Sequence, residues 1–298
     1  MTGAGDVHAP AERELDRVAF SAFAGAVVIG GSNFVAIRFS NRELDPLWGA
    51  CLRFALAAVV FGVLCAALRL SLPRGRTLAL VLTYGLLAFG AAYGCLYWAM
   101  QEVTAGVAAV VLAVGPLLAL LLAVAHGMER LGLRALLGAV VAIAGSTLIF
   151  FEPGSVDFRW TSFVLLGVAA LCASESVVLS KLVGRQHPVA MNFVGMSAGA
   201  IVLLVAAVAA GERLALPDKG ETQLALAYLA AATVGLFLLV LVVVQRWTAS
   251  ATAYTFVLMP VVAIALGALL ADESITATTI VGGAIVGAGV YVGATRRE

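Results

Sequence analysis

The chain predicts an all-α polytopic membrane protein: ten transmembrane helices arranged as two inverted five-helix repeats. Three observations predict it. Ten apolar stretches, each close to a membrane-spanning length, follow one another. Charged residues make up only 12% of the chain against 62% apolar, too few to clothe a water-soluble fold. The second half repeats landmarks of the first at a nearly constant offset. An odd number of spans per copy makes the second copy enter the membrane from the opposite side, an arrangement characteristic of secondary transporters.

The first stretch, Val18–Ile37, follows Arg13 and Arg17 as a secretory leader would, but it is too long, has no evident cleavage site and contains Asn33. It reads as a retained helix, and residues 1–16 before it as a charged tail expected to be disordered. Leu47–Leu68 starts after Pro46, a helix-start signal, and carries Arg53 near its beginning. Leu78–Ala99 ends with Tyr93, Tyr97 and Trp98; Val103–Ala125 has Pro116 midway; Leu131–Phe151 closes the first half. Ser162–Leu182 holds Glu175 well inside it, and Ala190–Ala210 again follows a proline, Pro188. Leu224–Val244, then Ala249–Leu270 with Tyr254 and Pro260, then Ile275–Val292 complete the set. Each approaches the length that crosses about 30 Å of hydrocarbon. A backbone exposed to lipid must satisfy its own polar groups, so each is a helix. The strands of a soluble α/β core would instead run about 4–8 residues between charged amphipathic helices. The two repeats fall at 17–152 and 160–293, with a short tail at 294–298.

The connections are too short for a soluble domain. Cys51, Cys65, Cys95 and Cys172 lie within spans without paired spacing, which argues against a disulfide scaffold or zinc site. His8, His126 and His187 fall in the tail or in loops and suggest no catalytic set. The GGAIVGAG stretch has no strand before it and no matching acid after it, so it is no dinucleotide site, and no nucleotide-binding loop occurs elsewhere. No cofactor is expected. An intramembrane enzyme would need ionisable side chains clustered at one depth, whereas the intramembrane set is little more than Glu175 and Arg53. The chain is read as a carrier and not an enzyme, with a non-transporting membrane scaffold as the rival of another class.

Net charge is only +1, so orientation is read from the distribution of Lys and Arg. With the N-terminus inside, twelve basic residues fall on the cytoplasmic side: Arg13, Arg17, Arg69, Arg74, Arg76, Arg130, Arg134, Lys181, Arg185, Arg246, Arg296 and Arg297. Five face the other side: Arg38, Arg42, Arg159, Arg213 and Lys219. The positive-inside rule then puts both termini in the cytoplasm of a bacterial-type inner membrane. No basic block suits nucleic acid.

Within the repeats, Pro116 pairs with Pro260, Glu129 with Glu273, Gly138 with Gly282 and Gly145 with Gly289, each 144 residues apart. In the first helices the offset is 142, which sets Asn33 against Glu175 and Pro46 against Pro188. Over roughly Ala19 to Val292 the sequence resembles the EamA-type family of the drug/metabolite transporter superfamily. The likeness rests on GSNFVAIRF in the first helix, PLWGACLRFALAA at the start of the second, YWAMQEVTAGVAAVVLAVGPLLALLLA, and the acid, glycine, glycine pattern after both Pro116 and Pro260. The resemblance implies a cavity formed mainly by helices 1, 3, 4, 6, 8 and 9, helices 5 and 10 as scaffold or homodimer elements, and export of metabolites or amino acids. Helix eight departs by lacking the two aromatics of helix three.

The substrate-cavity candidates are Asn33, Arg53, Tyr93, Tyr97, Glu175 and Tyr254. A carboxylate in hydrocarbon needs protein or water around it. Glu175 therefore either exchanges a proton or holds a substrate amine, or else it is tied to serines or an arginine for packing. Arg53 either snorkels to the headgroups or meets an anionic substrate group. Asn33 offers donor and acceptor for a substrate or for a neighbouring helix. Tyr93 and Tyr97, one turn apart, share a face. Pro116 and Pro260 each remove a helical hydrogen bond and are helix-bend candidates. Glu129 and Glu273 are expected to cap or orient the helices that follow them. The expected partners are a small, partly apolar or zwitterionic substrate and the lipid bilayer, with proton coupling through Glu175. A multidrug or other metabolite exporter is the alternative within transport.

Overall fold

The computed structural model describes residues 9–128, 133–150, 160–184, 186–246 and 249–294. Among these residues the chain forms ten helices, α1 (Ala9–Ser40), α2 (Pro46–Ala67), α3 (Gly75–Ala99), α4 (Ala105–Ala125), α5 (Leu133–Phe150), α6 (Trp160–Val183), α7 (Pro188–Ala209), α8 (Gly220–Arg246), α9 (Ala249–Leu270) and α10 (Ala277–Ala294). Prolines open α2 and α7, where a missing N–H costs nothing. Two helices are irregular. In α3 a run of wider π-type turns spans Leu86–Ala91. In α4 the helix breaks between Leu112 and Gly115, just before Pro116, whose ring removes the hydrogen bond to the Leu112 carbonyl. Pro260, its counterpart, lies inside an assigned α9 that runs through unbroken.

The architecture is an all-α polytopic membrane fold. Seven helices, α1–α4 and α6–α8, contain stretches long and apolar enough to cross a bilayer. The expectation of ten spans is met in part, by seven of the ten helices. The apolar stretches of the remaining three are shorter, Leu136–Ile149, Leu258–Leu270 and Ala277–Val292. The helices α5 and α10 are 18 residues each, and the first turn of α10 carries Thr278 and Thr279. Val59 and Val63 on α2, and Ile201 and Val205 on α7, are exposed, an outer surface suited to lipid and not to water.

Helix pairing is symmetric under exchange of the halves. α1 packs on α8 and α9 as α6 packs on α3 and α4, and α2 meets α8 as α7 meets α3. α2 with α7, α4 with α9, and α5 with α10 pair with their own counterparts. This is the contact pattern that inverted repeats require.

Small residues set the closest crossings. A Cβ on Gly85 of α3 would lie 2.2 Å from the Gly195 carbonyl oxygen of α7, and one on Gly282 of α10 would lie 2.8 Å from the Gly145 oxygen of α5. Backbone faces backbone there, so no side chain can yield. Gly85→Ala is expected to separate α3 from α7 at a cost of about 1–3 kcal/mol, read as a lower melting temperature in detergent, whereas Gly167→Ala, with nothing within 4 Å of the added carbon, leaves it unchanged.

Candidate functional site

Four of the nine helix connections, α1–α2, α3–α4, α7–α8 and α9–α10, lie at one end of the bundle, the tied end, where carboxylates bind backbone N–H groups of the other half. Glu273, between α9 and α10, accepts from the Ala105 N–H at the start of α4 (2.9 and 3.0 Å) and pairs with Arg38 at the end of α1 (3.1 Å). It therefore caps a helix of the other repeat and not the helix that follows it. Glu212 accepts from Leu47 and Trp48 at the start of α2 (3.1 and 2.8 Å), and Asp45 in return accepts from Arg213 N–H (2.7 Å). Glu43 accepts from Asp218 and Lys219. A carboxylate at a helix start is favoured by the unpaired N–H groups and the helix dipole. The Thr222 hydroxyl and these two N–H groups hold the Glu43 carboxyl below its ordinary range. Burial pushes Glu212 the other way, against the pull of Leu47 and Trp48. Acidification thus neutralises the Glu212 tie before the Glu43 tie.

Beyond the tied end lies a cavity of about 360 Å³. Its walls come from α1, α3, α4, α6, α8 and α9, the six helices that the resemblance implies. They are largely apolar, with Phe34, Ile37, Leu112 and Met259 among them, and α8 contributes Leu236. Polar groups enter the wall at Asn33, Tyr93 and Ser174, and the break before Pro116 also faces the cavity. The Ser174 hydroxyl shares its hydrogen between the Ala170 carbonyl of its own helix (2.6 Å) and the Gly115 carbonyl (3.0 Å), linking the broken α4 to α6.

Behind Asn33 and Tyr93 sits Arg53, only 1% exposed. Its guanidinium does not reach for the headgroups. Nε donates to the Thr233 hydroxyl of α8 (2.9 Å), itself donating to the Leu229 carbonyl, and Nη2 donates to the Asn33 carbonyl oxygen (3.2 Å). The guanidinium carbon lies 4.9 Å from the Tyr93 ring centroid and 5.2 Å from that of Phe54. Tyr97, fully buried one turn on, sets its hydroxyl beside the guanidinium, and beyond each other neither this hydroxyl nor Arg53 Nη1 finds a hydrogen-bond partner.

Glu175 and Arg53 do not meet. Glu175 sits beside the cavity-lining Ser174, and its Oε1 lies 3.2 Å from Nε2 of His126, at the end of α4 remote from the tied end. The other ring nitrogen, Nδ1, is 2.9 Å from the Leu122 carbonyl oxygen. A carbonyl only accepts, so the Nδ1 contact requires the hydrogen on that ring nitrogen. The Oε2 oxygen is buried and unpartnered. The side chain of Tyr254 lies outside the described residues, as does Glu129. The sequence set His126 aside as a loop residue and gave no sign of Thr233. Their positions at a helix end and among apolar neighbours gave no signal, because each acts through a residue distant in sequence.

Comparison with known proteins follows this geometry. Residues 18–151 and 159–294 each match the sequence profile of the EamA-like transporter family. A protein of Streptantibioticus cattleyicolor named as a probable terminal-alkyne amino-acid exporter is 27% identical over 178 residues, 60% of this chain and 60% of that protein. The inner membrane transporter YedA of Escherichia coli K12 is 29% identical over 262 residues, 86% of this chain and 84% of the relative. One solved crystal structure superposes on 92% of this chain and 95% of its own, with a TM-score of 0.66 at 17% identity, a likeness of fold.

Proposed function

The chain belongs to the EamA-like transporter family, and on that premise we propose that it exports small, partly apolar metabolites of the amino-acid class by alternating access. One observation carries the reading: a largely apolar cavity with a polar corner lies between the two halves, and one end of the bundle is fastened by carboxylates reaching across them. The likeness to an amino-acid exporter supports the substrate class, and the likeness to an inner membrane transporter supports the compartment. In this reading all ten helices span the membrane, repeats 17–152 and 160–293 run in opposite senses, and both termini are cytoplasmic. The tied end then faces outward, and the structure is the inward-facing state. The scaffold role falls to α5 and α10, whose outward faces are the seam of a homodimer. A multidrug exporter is the second reading, favoured by the apolar lining.

The test is counterflow of radiolabelled amino acids and of cationic dyes in proteoliposomes, with and without a pH gradient. Saturable exchange of amino acids is expected; exchange of the dyes alone would favour the second reading, and exchange of neither would remove both.

His126 and Glu175 join the first repeat to the second at 3.2 Å, and this pair is the proposed site of proton coupling. Glu175→Gln keeps a group that can hydrogen-bond to Nε2 but cannot release a proton. The expected outcome is loss of transport driven by a pH gradient, with counterflow retained within about 3-fold of wild type, since one exposed hydrogen bond is worth about 0.5–1.5 kcal/mol. Unchanged driven transport between acidic and neutral pH would exclude the pair as the coupling site.

A further inference from the structure

Arg53 is a buried cation without an anion. Its residue is 1% exposed, and among the described residues no carboxylate lies within salt-bridge distance of it. Two of its nitrogens are held by neutral oxygens, from Thr233 and Asn33, while Nη1 finds no acceptor beyond the Tyr97 hydroxyl. An ion taken out of water needs both a counter-charge and filled hydrogen-bond sites. Here neither need is met by the protein. The Tyr97 hydroxyl, fully buried, stands beside the guanidinium and takes one of its hydrogens, but its own hydrogen finds no acceptor. A guanidinium and a phenol thus stand together with hydrogens left unmatched, one layer behind Asn33 and Tyr93, which line the cavity and both touch Arg53.

We infer that Arg53 Nη1 and the Tyr97 hydroxyl form a carboxylate subsite for the carried molecule, reached from the cavity past Asn33 and Tyr93. This deepens the carrier reading and rests on it. The chemistry fits a monoanion with two acceptor oxygens: one oxygen takes the Nη1 hydrogen and the other the phenol hydrogen. It does not fit a phosphate, whose second charge would have no partner beside a single cation. The remainder of the molecule lies along Phe34, Ile37, Leu112 and Met259, so its other end is apolar. Tyr93 is the movable element between cavity and charge, since its ring is partly exposed and rests on the guanidinium and edge-on against Phe54 (4.7 Å) without a hydrogen bond to Arg53.

The probes are four molecules sharing one branched apolar end: L-leucine, 4-methylpentanoate, leucinamide and 3-methylbutylamine. Binding is read as the rise in melting temperature of the purified protein in detergent, with gluconate as the background anion. The two acids are expected to stabilise wild type at concentrations roughly 100-fold below those needed for the amide and the amine, because an interaction across a buried charge is lost. Arg53→Gln removes that preference. Tyr97→Phe, which deletes one hydroxyl and leaves the ring, weakens it roughly 10-fold and guards against a failure of Arg53→Gln to fold. Equal stabilisation by acid and amide in wild type, a preference surviving in Arg53→Gln, an undiminished preference in Tyr97→Phe, or no response to either acid would overturn the subsite. Stabilisation by chloride equal to that by the acids would mark an inorganic counter-ion site and overturn the substrate assignment. Counterflow of the same probes separates the two claims. Exchange of the amine but not the acids leaves the carrier and removes the subsite; acid-selective binding without exchange of any of them leaves the subsite and removes the carrier.

Discussion

Glu273→Ala shifts the protein towards the state open at the tied end by roughly 100-fold. The carboxylate is 7% exposed at its side chain and joins three elements: it accepts twice from Ala105 N–H at the start of α4 and pairs with Arg38 of α1, whose Nη1 also donates to the Met100 carbonyl at the end of α3. A helix cap contributes about 1 kcal/mol and a partly buried, charge-assisted pair about 1.5–3 kcal/mol, and each 1.4 kcal/mol is about tenfold in population. Alanine removes both in the closed arrangement and nothing in an arrangement where the carboxylate is already hydrated. Glu273→Gln keeps an oxygen for Ala105 and loses the charge, so its shift falls between. The readout is maleimide labelling of a cysteine placed at Phe34, in a background lacking Cys51, Cys65, Cys95 and Cys172, applied to each face of sealed vesicles. Faster labelling from the tied-end face is expected, with slower labelling from the other. Equal rates in wild type and Glu273→Ala would remove the carboxylate as a closing contact.

The architecture was legible because its causes are one-dimensional. Span length follows from bilayer thickness, and the repeat is a spacing, so Pro46 and Pro188 open equivalent helices, as their register requires. The register of Pro116 and Pro260 was equally plain, but the outcome differs between the halves: α4 breaks before Pro116 and is stapled by Ser174, while α9 is assigned straight through Pro260. Repeated sequence does not impose identical geometry when the two halves are caught in one asymmetric state. The polar partners were the least legible. Arg53 and Glu175 were the intramembrane charges visible in the sequence, but sequence alone could not say whether they meet. The fold instead gives Glu175 to His126, at a helix end, and leaves Arg53 with a threonine and an amide. Which residues meet at one depth depends on helix rotation and tilt, and neither is written in apolar runs of Ala, Val and Leu.

Glu129→Ala is expected to shift the same equilibrium in the opposite direction by a similar factor, roughly 100-fold. Glu273 stands to Ala105 as Glu129 stands to Ala249, since both steps are 144 residues (273 − 129 and 249 − 105). Glu129 lies outside the described residues, so its part is inferred from register. In an inverted repeat, whatever fastens one end in one state has a counterpart that fastens the other end in the alternate state. Glu273 closing on α4 predicts Glu129 closing on the start of α9, and alternation follows because the two ends are not fastened together. The phenotypes are therefore antagonistic: Glu129→Ala slows labelling at position 34 from the tied-end face, and the double variant returns the ratio of the two faces to within about 3-fold of wild type, as independent sites add. Transport in the double variant stays well below wild type even so. The ratio of states is restored, but neither state is held closed while the cavity is loaded. A Glu129→Ala variant that labels like Glu273→Ala would show both acids acting on one end, and the symmetric mechanism would fail.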